Sequence, residues 1–285
     1  MSTRPTCLYR PYIMPPEELA AASKYFDMTP YPGQVPPNQT VLARYSVLPF
    51  AELVAGELAI VGSKLINSIE QHRYVADAMS WSAKGSCLER AGLTPWSRDN
   101  WYDLPEGQYI VKGKTNSQKS KWNKLMFCQS VADIPIVAGR LLDNEMIAQQ
   151  GLIVRPYIPL ETFDVGMNGQ PVTYEYRTFW YRNPDDSDAT PQMISKGFYW
   201  SSWPEYEEAA NALWDIELPV VMERANEAAS LIGPNVPFFV LDMARTKDGR
   251  WIVIEVNDAQ QSALSCISAE RFYRRISELL TNIIE

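Results

Sequence analysis

The sequence predicts an α+β fold with largely antiparallel sheets. Two tight-turn signals, Asn168-Gly169 and Asp248-Gly249, each lie between apolar runs, which is the pattern of β-hairpins. Stretches with helical spacing of apolar residues occur between and after these hairpins. Hairpins mixed with helices favour this class over a doubly wound parallel sheet.

Composition and charge indicate a globular protein of about two domains. The chain has 285 residues, of which 46% are hydrophobic and 21% are charged. Its net charge of −8 argues against bulk binding of nucleic acid. No apolar stretch approaches the ~20 residues of a membrane span, and the first residues lack a signal-peptide pattern. The four cysteines form no CxxC motif. We therefore expect a cytoplasmic protein with no membrane partner.

The first part of the chain, residues 1–103, is expected to form a small α/β domain. Its many prolines keep the opening irregular. The apolar patterns predict strands at about 6–9 and 41–48, and helices over Glu17–Phe26 and Gly62–Met79.

From residue 104 onward strand patterns dominate. The predicted elements, in chain order, are strand Tyr109–Lys114, polar loop Thr115–Lys121, helix 131–149, strand Gly151–Ile158, hairpin arms Thr162–Met167 and Gln170–Tyr181, helices 204–215 and 219–232, hairpin arms Phe238–Ala244 and Trp251–Val256, and helix Ala269–Ile284.

The last hairpin carries a candidate metal site. With a two-residue turn at Asp248-Gly249, Lys247 faces Arg250, Asp242 lies directly opposite Glu255, and Asn257 shares their face. Opposed carboxylates in apolar strands repel unless a cation lies between them. Carboxylate and amide oxygens suit Mg²⁺. Two alternatives stay open: each carboxylate pairs with its own Lys or Arg, or a longer turn changes the register.

Cationic side chains are candidates for phosphate contacts. Lys112 and Lys114 are two residues apart in one strand and share a face, although such a pair is also typical of a solvated face. Arg155 lies in an apolar run, where a guanidinium needs an anion. The segment Gly113-Lys114-Thr115 is not a P-loop, because Gly107 stands six residues before Gly113 and the motif requires five. The sequence also contains no GxGxxG.

Two further residues bear on the candidate chemistry: Arg177 and the single histidine, His72. A two-residue turn at Asn168-Gly169 places Arg177 opposite Leu160, where it either stacks on neighbouring rings or pairs with Glu175. His72 is the only histidine of the chain, which excludes catalytic sites that need several histidines.

Together these residues resemble the ATP-grasp superfamily, in particular its clade marked by one lysine and two arginines, whose members are predicted to form amide bonds. Lys112 resembles the phosphate-binding lysine, and Val154–Glu161 resembles the linker that meets the adenine. Glu175–Phe179 matches the second arginine motif of the clade. Asp242 with Glu255-Val256-Asn257 matches the metal-binding ending.

The resemblance covers about residues 104–285, as a nucleotide-binding subdomain at about 104–160 and a metal and catalytic subdomain at about 161–285. Residues 1–103 weakly resemble the domain that precedes ATP-grasp cores, notably at Leu65–Ser68. One position departs from the family. Many members have an arginine two residues before the metal aspartate, where this chain has Val240, so that Arg177, Arg245 or Lys196 is left to supply the charge.

The resemblance implies two α/β subdomains that clasp a nucleotide, and an ADP-forming ligase that joins a carboxylate to an amine through an acyl phosphate, with ATP and Mg²⁺. Small-molecule or peptide carboxylates and amines are the implied substrates. A small-molecule kinase on the same scaffold and a non-catalytic nucleotide-binding module are the alternatives. The implied site residues are Arg177 and Lys196 for catalysis, Lys112, Lys114, Arg155, Tyr157 and Glu161 for the nucleotide, and Asp242, Glu255 and Asn257 for the metal.

Overall fold

The computed structural model describes residues 4–45, 47, 50–82, 85–89, 93–114 and 117–281. Contacts divide the chain into two compact units. The first unit contains Met1–Val75, Tyr176–Met243 and Ile254–Glu285, and the second contains Ala76–Glu175 and Ala244–Val253. The predicted domain boundary near residue 103 stays a prediction. Within the described ranges, no helix has both the length and the apolar character needed to cross a membrane.

A four-stranded parallel sheet opens the first unit, with the order β2-β1-β3-β4. Its strands are β1 (Thr6–Leu8), β2 (Asp27–Thr29), β3 (Thr40–Ala43) and β4 (Lys64–Leu65). The strands predicted at 6–9 and 41–48 are found as the shorter β1 and β3. Residues 46, 48 and 49 lie outside the described ranges.

Short helices α1 (Pro16–Ala22), α2 (Ala51–Ile60) and α3 (Ile69–Ala76) follow in this part of the chain, and α4 (Ala78–Trp81) belongs to the second unit. The helix predicted over 62–79 is wrong in its first turns, which contain β4. The helix begins after Ser68, whose hydroxyl accepts the amide of Gln71 while the Gln71 side chain accepts the amide of Ser68. This reciprocal capping fixes the start of α3.

The second unit is built on an antiparallel sheet with the order β5-β8-β6-β7. Its strands are β5 (Thr94–Pro95), β6 (Tyr109–Gly113), β7 (Phe127–Cys128) and β8 (Leu152–Pro156), and its helices are α5 (Trp122–Leu125), α6 (Ile134–Leu142) and α7 (Glu145–Gln150). One predicted helix over 131–149 is thus two helices. The break occurs because the Asn144 side chain caps α7 by accepting the amides of Met146 and Ile147.

The hairpin at Asn168-Gly169 is wider than predicted. Strands β9 (Thr162–Val165) and β10 (Pro171–Thr173) pair across a loop closed by the Gly166 amide, which donates to Gln170 O at 2.7 Å. Leu160 forms an isolated bridge with Thr246. The prediction that Arg177 lies opposite Leu160 is therefore wrong.

The third large sheet has the order β12-β11-β13-β14. Its strands are β11 (Glu175–Tyr181), β12 (Gln192–Phe198), β13 (Phe238–Arg245) and β14 (Trp251–Asp258), accompanied by helices α8 (Glu207–Ile216), α9 (Leu218–Ile232) and α10 (Ala269–Thr281). One face of this sheet packs Phe179, Phe238 and Val240 against Phe272 of α10. The sequence reading missed β12. The predicted last residues of α10, 282–284, lie outside the described ranges.

Candidate functional site

The turn of the β13–β14 hairpin is one residue longer than predicted. The Gly249 amide donates to Thr246 O at 2.9 Å, and the Thr246 amide donates to Arg250 O at 2.8 Å. Thr246 therefore faces Arg250, and the predicted pairing of Lys247 with Arg250 is wrong. Gly249 has φ of +83°, a conformation that glycine adopts without a steric penalty.

The alternation of buried and half-buried residues along β14 shifts by one residue, and this shift compensates for the longer turn. Residues buried in alternation are Trp251 and Val253 in the first half, then Val256 and Asp258 in the second. A one-residue change of this kind is the pattern of a β-bulge. It returns Asn257 to the face of Asp242, where Asn257 Nδ2 donates to Asp242 Oδ2 at 3.3 Å.

Asp242 is bound by an arginine from the neighbouring strand. Arg177 Nε donates to Asp242 Oδ1 at 2.9 Å, and Arg177 Nη2 donates to Oδ2 at 2.8 Å. The Asp242 side chain is 0% exposed and that of Arg177 is 9% exposed. The arginine also donates to Ala263 O and lies over the Tyr199 ring. Of the two alternatives for Arg177, pairing with Glu175 is thus replaced by pairing with Asp242.

Glu255 belongs to the same electrostatic cluster. Burial by itself lowers the pKa of Arg177, but the charge and hydrogen bonds of Asp242, and then the charges of Tyr199 and Glu255, raise it above its ordinary value. Arg177 therefore stays charged beside two carboxylates. The repulsion between Asp242 and Glu255 that suggested a metal is already reduced by this guanidinium.

The other two candidates for the missing arginine charge lie elsewhere. Lys196 is directly opposite Thr178, so it occupies the sheet face that Arg177 does not. Its ammonium is 4.7 Å from the centroid of the Trp214 ring and 3.5 Å from Asp215, and burial lowers its pKa. Arg245 is bonded to Glu161. The structure therefore brings Arg177, and neither of these two, to Asp242.

In the second unit, three predicted phosphate-binding cations share one sheet face. Ile110 is directly opposite Arg155 and Lys112 is directly opposite Ile153, so Lys112 and Arg155 project from the same side. That side is opposite the core containing Tyr109, Val111 and Val154. Lys114 follows with the same alternation, and its ammonium is 3.3 Å from Asp77.

The predicted adenine linker begins beside an aromatic cluster. Tyr157 meets Phe127 edge-to-face at 5.2 Å between centroids, and Trp122 stacks on Phe127 at 6.1 Å. Burial raises the pKa of the Tyr157 hydroxyl above its ordinary value. At the end of the linker, the carboxylate of Glu161 is held by Arg245.

The lysine-bearing loop is described from Ser117 onward, and Thr115 and Asn116 lie outside the described residues. Lys119 is 3.5 Å from the buried carboxylate of Glu175, and Asn168 donates to Ser120 O at 2.8 Å. The loop is thus attached to the β9–β10 hairpin and to the start of β11 within the second unit.

The sequence reading missed a buried polar network at the end of β14. Asp258 accepts Asn67 Nδ2 at 2.7 Å and the Gln260 amide at 2.9 Å, and it lies 3.1 Å from His72 Nδ1. Asn67 also bonds both the amide and the carbonyl of Phe238. His72 is therefore part of a structural network beside Asn257. Asn67 lies in the Leu65–Ser68 segment that resembles the preceding domain of the family, but no sequence pattern shows that Asn67 meets Asp258.

The carboxylate and amide oxygens near Asp242 suit a magnesium ion that would bind while Arg177 stays in place. Each carboxylate oxygen has two lone pairs, and the described bonds to Asp242 Oδ1 use one of them. Asn257 donates through its nitrogen, so its amide oxygen takes no part in that bond. Asp242, Glu255 and Asn257 would hold the ion, which would neutralise phosphate oxygens. Across the described ranges, no group of three or more His, Cys, Asp or Glu side chains has a metal-binding arrangement.

Solved structures with similar folds include a synthetase, an ATP-grasp protein and a synthase. D-cycloserine synthetase DcsG matches with a TM-score of 0.52 and 14% identity, covering 96% of this chain and 99% of that chain. A RimK domain ATP-grasp protein from Sphaerobacter thermophilus matches at 0.54 and 13%, covering 97% and 99%. N5-carboxyaminoimidazole synthase from Aspergillus clavatus, in complex with ADP, matches at 0.55 and 11%, covering 98% and 78%. At these identities the likeness shows the fold alone.

The comparison with family models identifies the family of this chain, which the structural likeness does not. The search of curated proteins finds no match. The model for an ATP-grasp domain, family 3 of the clade named for two arginines and one lysine, matches residues 98–276, which is more than half of the chain. The predicted α+β ATP-grasp fold and the resemblance to the lysine-and-two-arginine clade are both confirmed. The protein therefore belongs to the ATP-grasp superfamily, in family 3 of this clade.

Proposed function

We propose that this protein is an ADP-forming ligase that uses ATP to join a small-molecule or peptide carboxylate to an amine. The observation that carries the proposal is the Arg177–Asp242–Asn257 cluster with Glu255 nearby, in a chain of the ATP-grasp family. Such a cluster combines hard oxygen donors with a fixed cation, as chemistry on ATP requires. The fold shared with D-cycloserine synthetase is compatible with this proposal.

The proposed nucleotide contacts come from the second unit. Lys112 and Arg155 share a face and would bind phosphate oxygens, with Lys114 beside them. Tyr157 and its aromatic neighbours would pack against the base, and Glu161 would accept a ribose hydroxyl while Arg245 fixes its orientation.

The proposed reaction has two steps. A substrate carboxylate oxygen attacks the γ-phosphorus and ADP leaves, which gives an acyl phosphate. The amine nitrogen then attacks the acyl carbon, phosphate leaves, the amine loses a proton, and the C–N bond is formed. In this proposal Arg177 acts by holding Asp242 in position. Lys196 retains a proposed role only if its ammonium is released from Trp214 and Asp215.

The first test is ATP binding measured by calorimetry with and without Mg²⁺. We expect Mg²⁺-dependent binding in the natural protein and a loss of at least ~10-fold in affinity for Lys112→Ala, since a charge-assisted contact is removed. Lys124→Ala, an exposed lysine of the same unit, is the matched control. Unchanged affinity in Lys112→Ala would contradict the assignment of the phosphate contacts.

The second test is ATP consumption across pools of amino acids, polyamines and peptides, with mass spectrometry of the products. A ligase gives an amide product and ADP only when an amine is present. ADP formation with an alcohol substrate and without amine dependence would indicate the kinase. Nucleotide binding without turnover in any pool would indicate the non-catalytic module.

A further inference from the structure

A cavity within the first unit is not used by the proposed reaction. It has a volume of about 430 Å³ and lies beside α2, β4 and the first turn of α3. Its wall is completed by the loop that follows β11 and by Pro237, which lies just before β13. This volume is in the range of small-molecule sites, about 300–1,000 Å³.

The cavity has an apolar floor. Ile66 and Tyr181, which pack in the same buried cluster, form this floor together with the buried Pro237, whereas Leu65 lines the cavity from the core beneath α2. Ala55 and Ala59 of α2 add two small side chains to the same wall, and they leave the space open. A ligand is therefore expected to place an apolar group here.

Charges of both signs lie at the exposed part of the lining. Lys64 contributes an ammonium, and Glu70 and Asp185 contribute carboxylates, of which that of Glu70 already accepts the hydroxyl of Ser68 at 2.8 Å and has lone pairs left for a ligand. Ser63 also lines the cavity, but its hydroxyl donates to Pro36 O and accepts the amide of Gln39, so it is occupied within the fold. The recognition groups are thus one cation and two anions above an apolar floor.

The cavity is separate from the Asp242 cluster. Tyr181 is four residues beyond Arg177 along β11, and Pro237 is five residues before Asp242 on the way into β13. At ~3.3 Å per residue these separations are about 13 and 16 Å. A ligand in the cavity therefore does not meet the reacting groups.

We propose that this cavity is a binding site for a free amino acid with an apolar side chain. Its carboxylate pairs with Lys64, its ammonium pairs with Glu70 or Asp185, and its side chain lies on the apolar floor. A zwitterion complements both signs of charge, whereas a ligand with one charge leaves one of them unmatched. The proposal does not depend on the ligase activity.

The experiment measures binding of free leucine to the full chain by calorimetry, without nucleotide. Isoamylamine, which lacks the carboxylate, and isocaproate, which lacks the ammonium, are the matched ligands. We expect leucine to bind and each analogue to bind at least ~10-fold more weakly. Absence of leucine binding, or equal binding of either analogue, would overturn the proposal.

Two variants locate the site. Ala59→Phe fills the cavity and is expected to weaken leucine binding at least ~10-fold. Ile60→Phe is the control, because Ile60 is the next residue of α2, is 85% exposed and does not line the cavity. Thermal unfolding of both variants checks that they fold. Leucine binding that survives in folded Ala59→Phe would place the ligand elsewhere and refute the proposal, whatever the outcome of the ATP-binding test.

Discussion

Replacement of Arg177 by methionine tests the electrostatics of the Asp242 cluster. Methionine keeps an unbranched apolar stem and removes the charge. Asp242, which is 0% exposed, then loses two hydrogen bonds of 2.9 and 2.8 Å. At about 1.5–3 kcal/mol for each charge-assisted bond, the loss is about 3–6 kcal/mol. This agrees with about 3–5 kcal/mol for a broken buried ion pair.

The informative measurement is denaturant unfolding of Arg177→Met with and without Mg²⁺. Without Mg²⁺ we expect the full destabilisation. With Mg²⁺ at about 100 times its dissociation constant, binding to Asp242, Glu255 and Asn257 is expected to return ~2.7 kcal/mol. The natural protein is expected to gain less unfolding free energy from Mg²⁺, because its Arg177 guanidinium already neutralises one carboxylate.

The matched control is Arg44→Met. Arg44 is also buried in the first unit, with a 4% exposed side chain, and it bonds Glu18, Tyr273 and the carbonyls of Ala259, Gln260 and Ser262. Among the described residues, the carboxylate bonded to Arg44 is that of Glu18, so this site offers no second carboxylate there to bind a cation. If Mg²⁺ stabilises Arg177→Met no more than Arg44→Met, the proposed metal site is refuted. An added Asp242→Asn in the Arg177→Met background is expected to recover stability without Mg²⁺.

The remaining predictions concern stability. Arg44→Met itself is expected to cost about 3–5 kcal/mol in denaturant unfolding, and a loss below ~1 kcal/mol would contradict its burial. Gly169→Ala is expected to cost about 1–2 kcal/mol, because Gly169 has φ of +77° and an added Cβ would clash with the Asn123 side chain. Gly139→Ala in α6 meets nothing within 4 Å and is expected to be neutral or stabilising, which makes it the control. Burial raises the pKa of Cys128 from 9.0 to about 12. A group whose pKa is higher in the folded state than in the unfolded state makes its full contribution to stability below the unfolded-state pKa. This contribution is lost as the pH rises toward the folded-state pKa. The unfolding free energy should therefore fall above pH 9, by about 1.4 kcal/mol at pH 10 for this thiol. Cys128→Ala should show a shallower decline, and an identical slope would refute this account.

Local patterns were sufficient to predict most elements of the ATP-grasp core. The strand at Tyr109 and the first arm of the last hairpin are short, mainly apolar runs that are buried along nearly their whole length, so a few neighbouring residues suffice to predict them. Two errors in the helix limits occur where a polar side chain bonds nearby backbone. Ser68 starts α3 later than the apolar spacing suggests, and Asn144 divides one predicted helix into two. At these positions the hydrogen bonds of the capping side chains, and not the spacing of apolar residues, fix where the helices begin.

The candidate site was predictable in its residue types and not in its pairings. The sequence indicates that Asp242 and Asn257 share a face, and they do. It does not indicate that a longer turn and a one-residue shift in β14 compensate for each other. It also leaves open which cation meets Asp242, because that depends on β11 lying beside β13, a pairing between residues 65 positions apart.

The position of Val240 explains why the cation comes from β11. Val240 is 0% exposed and packs in the apolar core with Phe179 and Phe272. A guanidinium at position 240 would enter that core, where an unpaired charge is costly. We therefore expect Val240→Arg to leave the Arg177→Met variant unrescued and to destabilise it further by several kcal/mol, as measured by denaturant unfolding. Recovery of stability in the double variant would show that the two positions are interchangeable. With Arg177 in place, two carboxylates and one guanidinium carry a net charge of −1, so a bound Mg²⁺ would make the cluster attractive to phosphate.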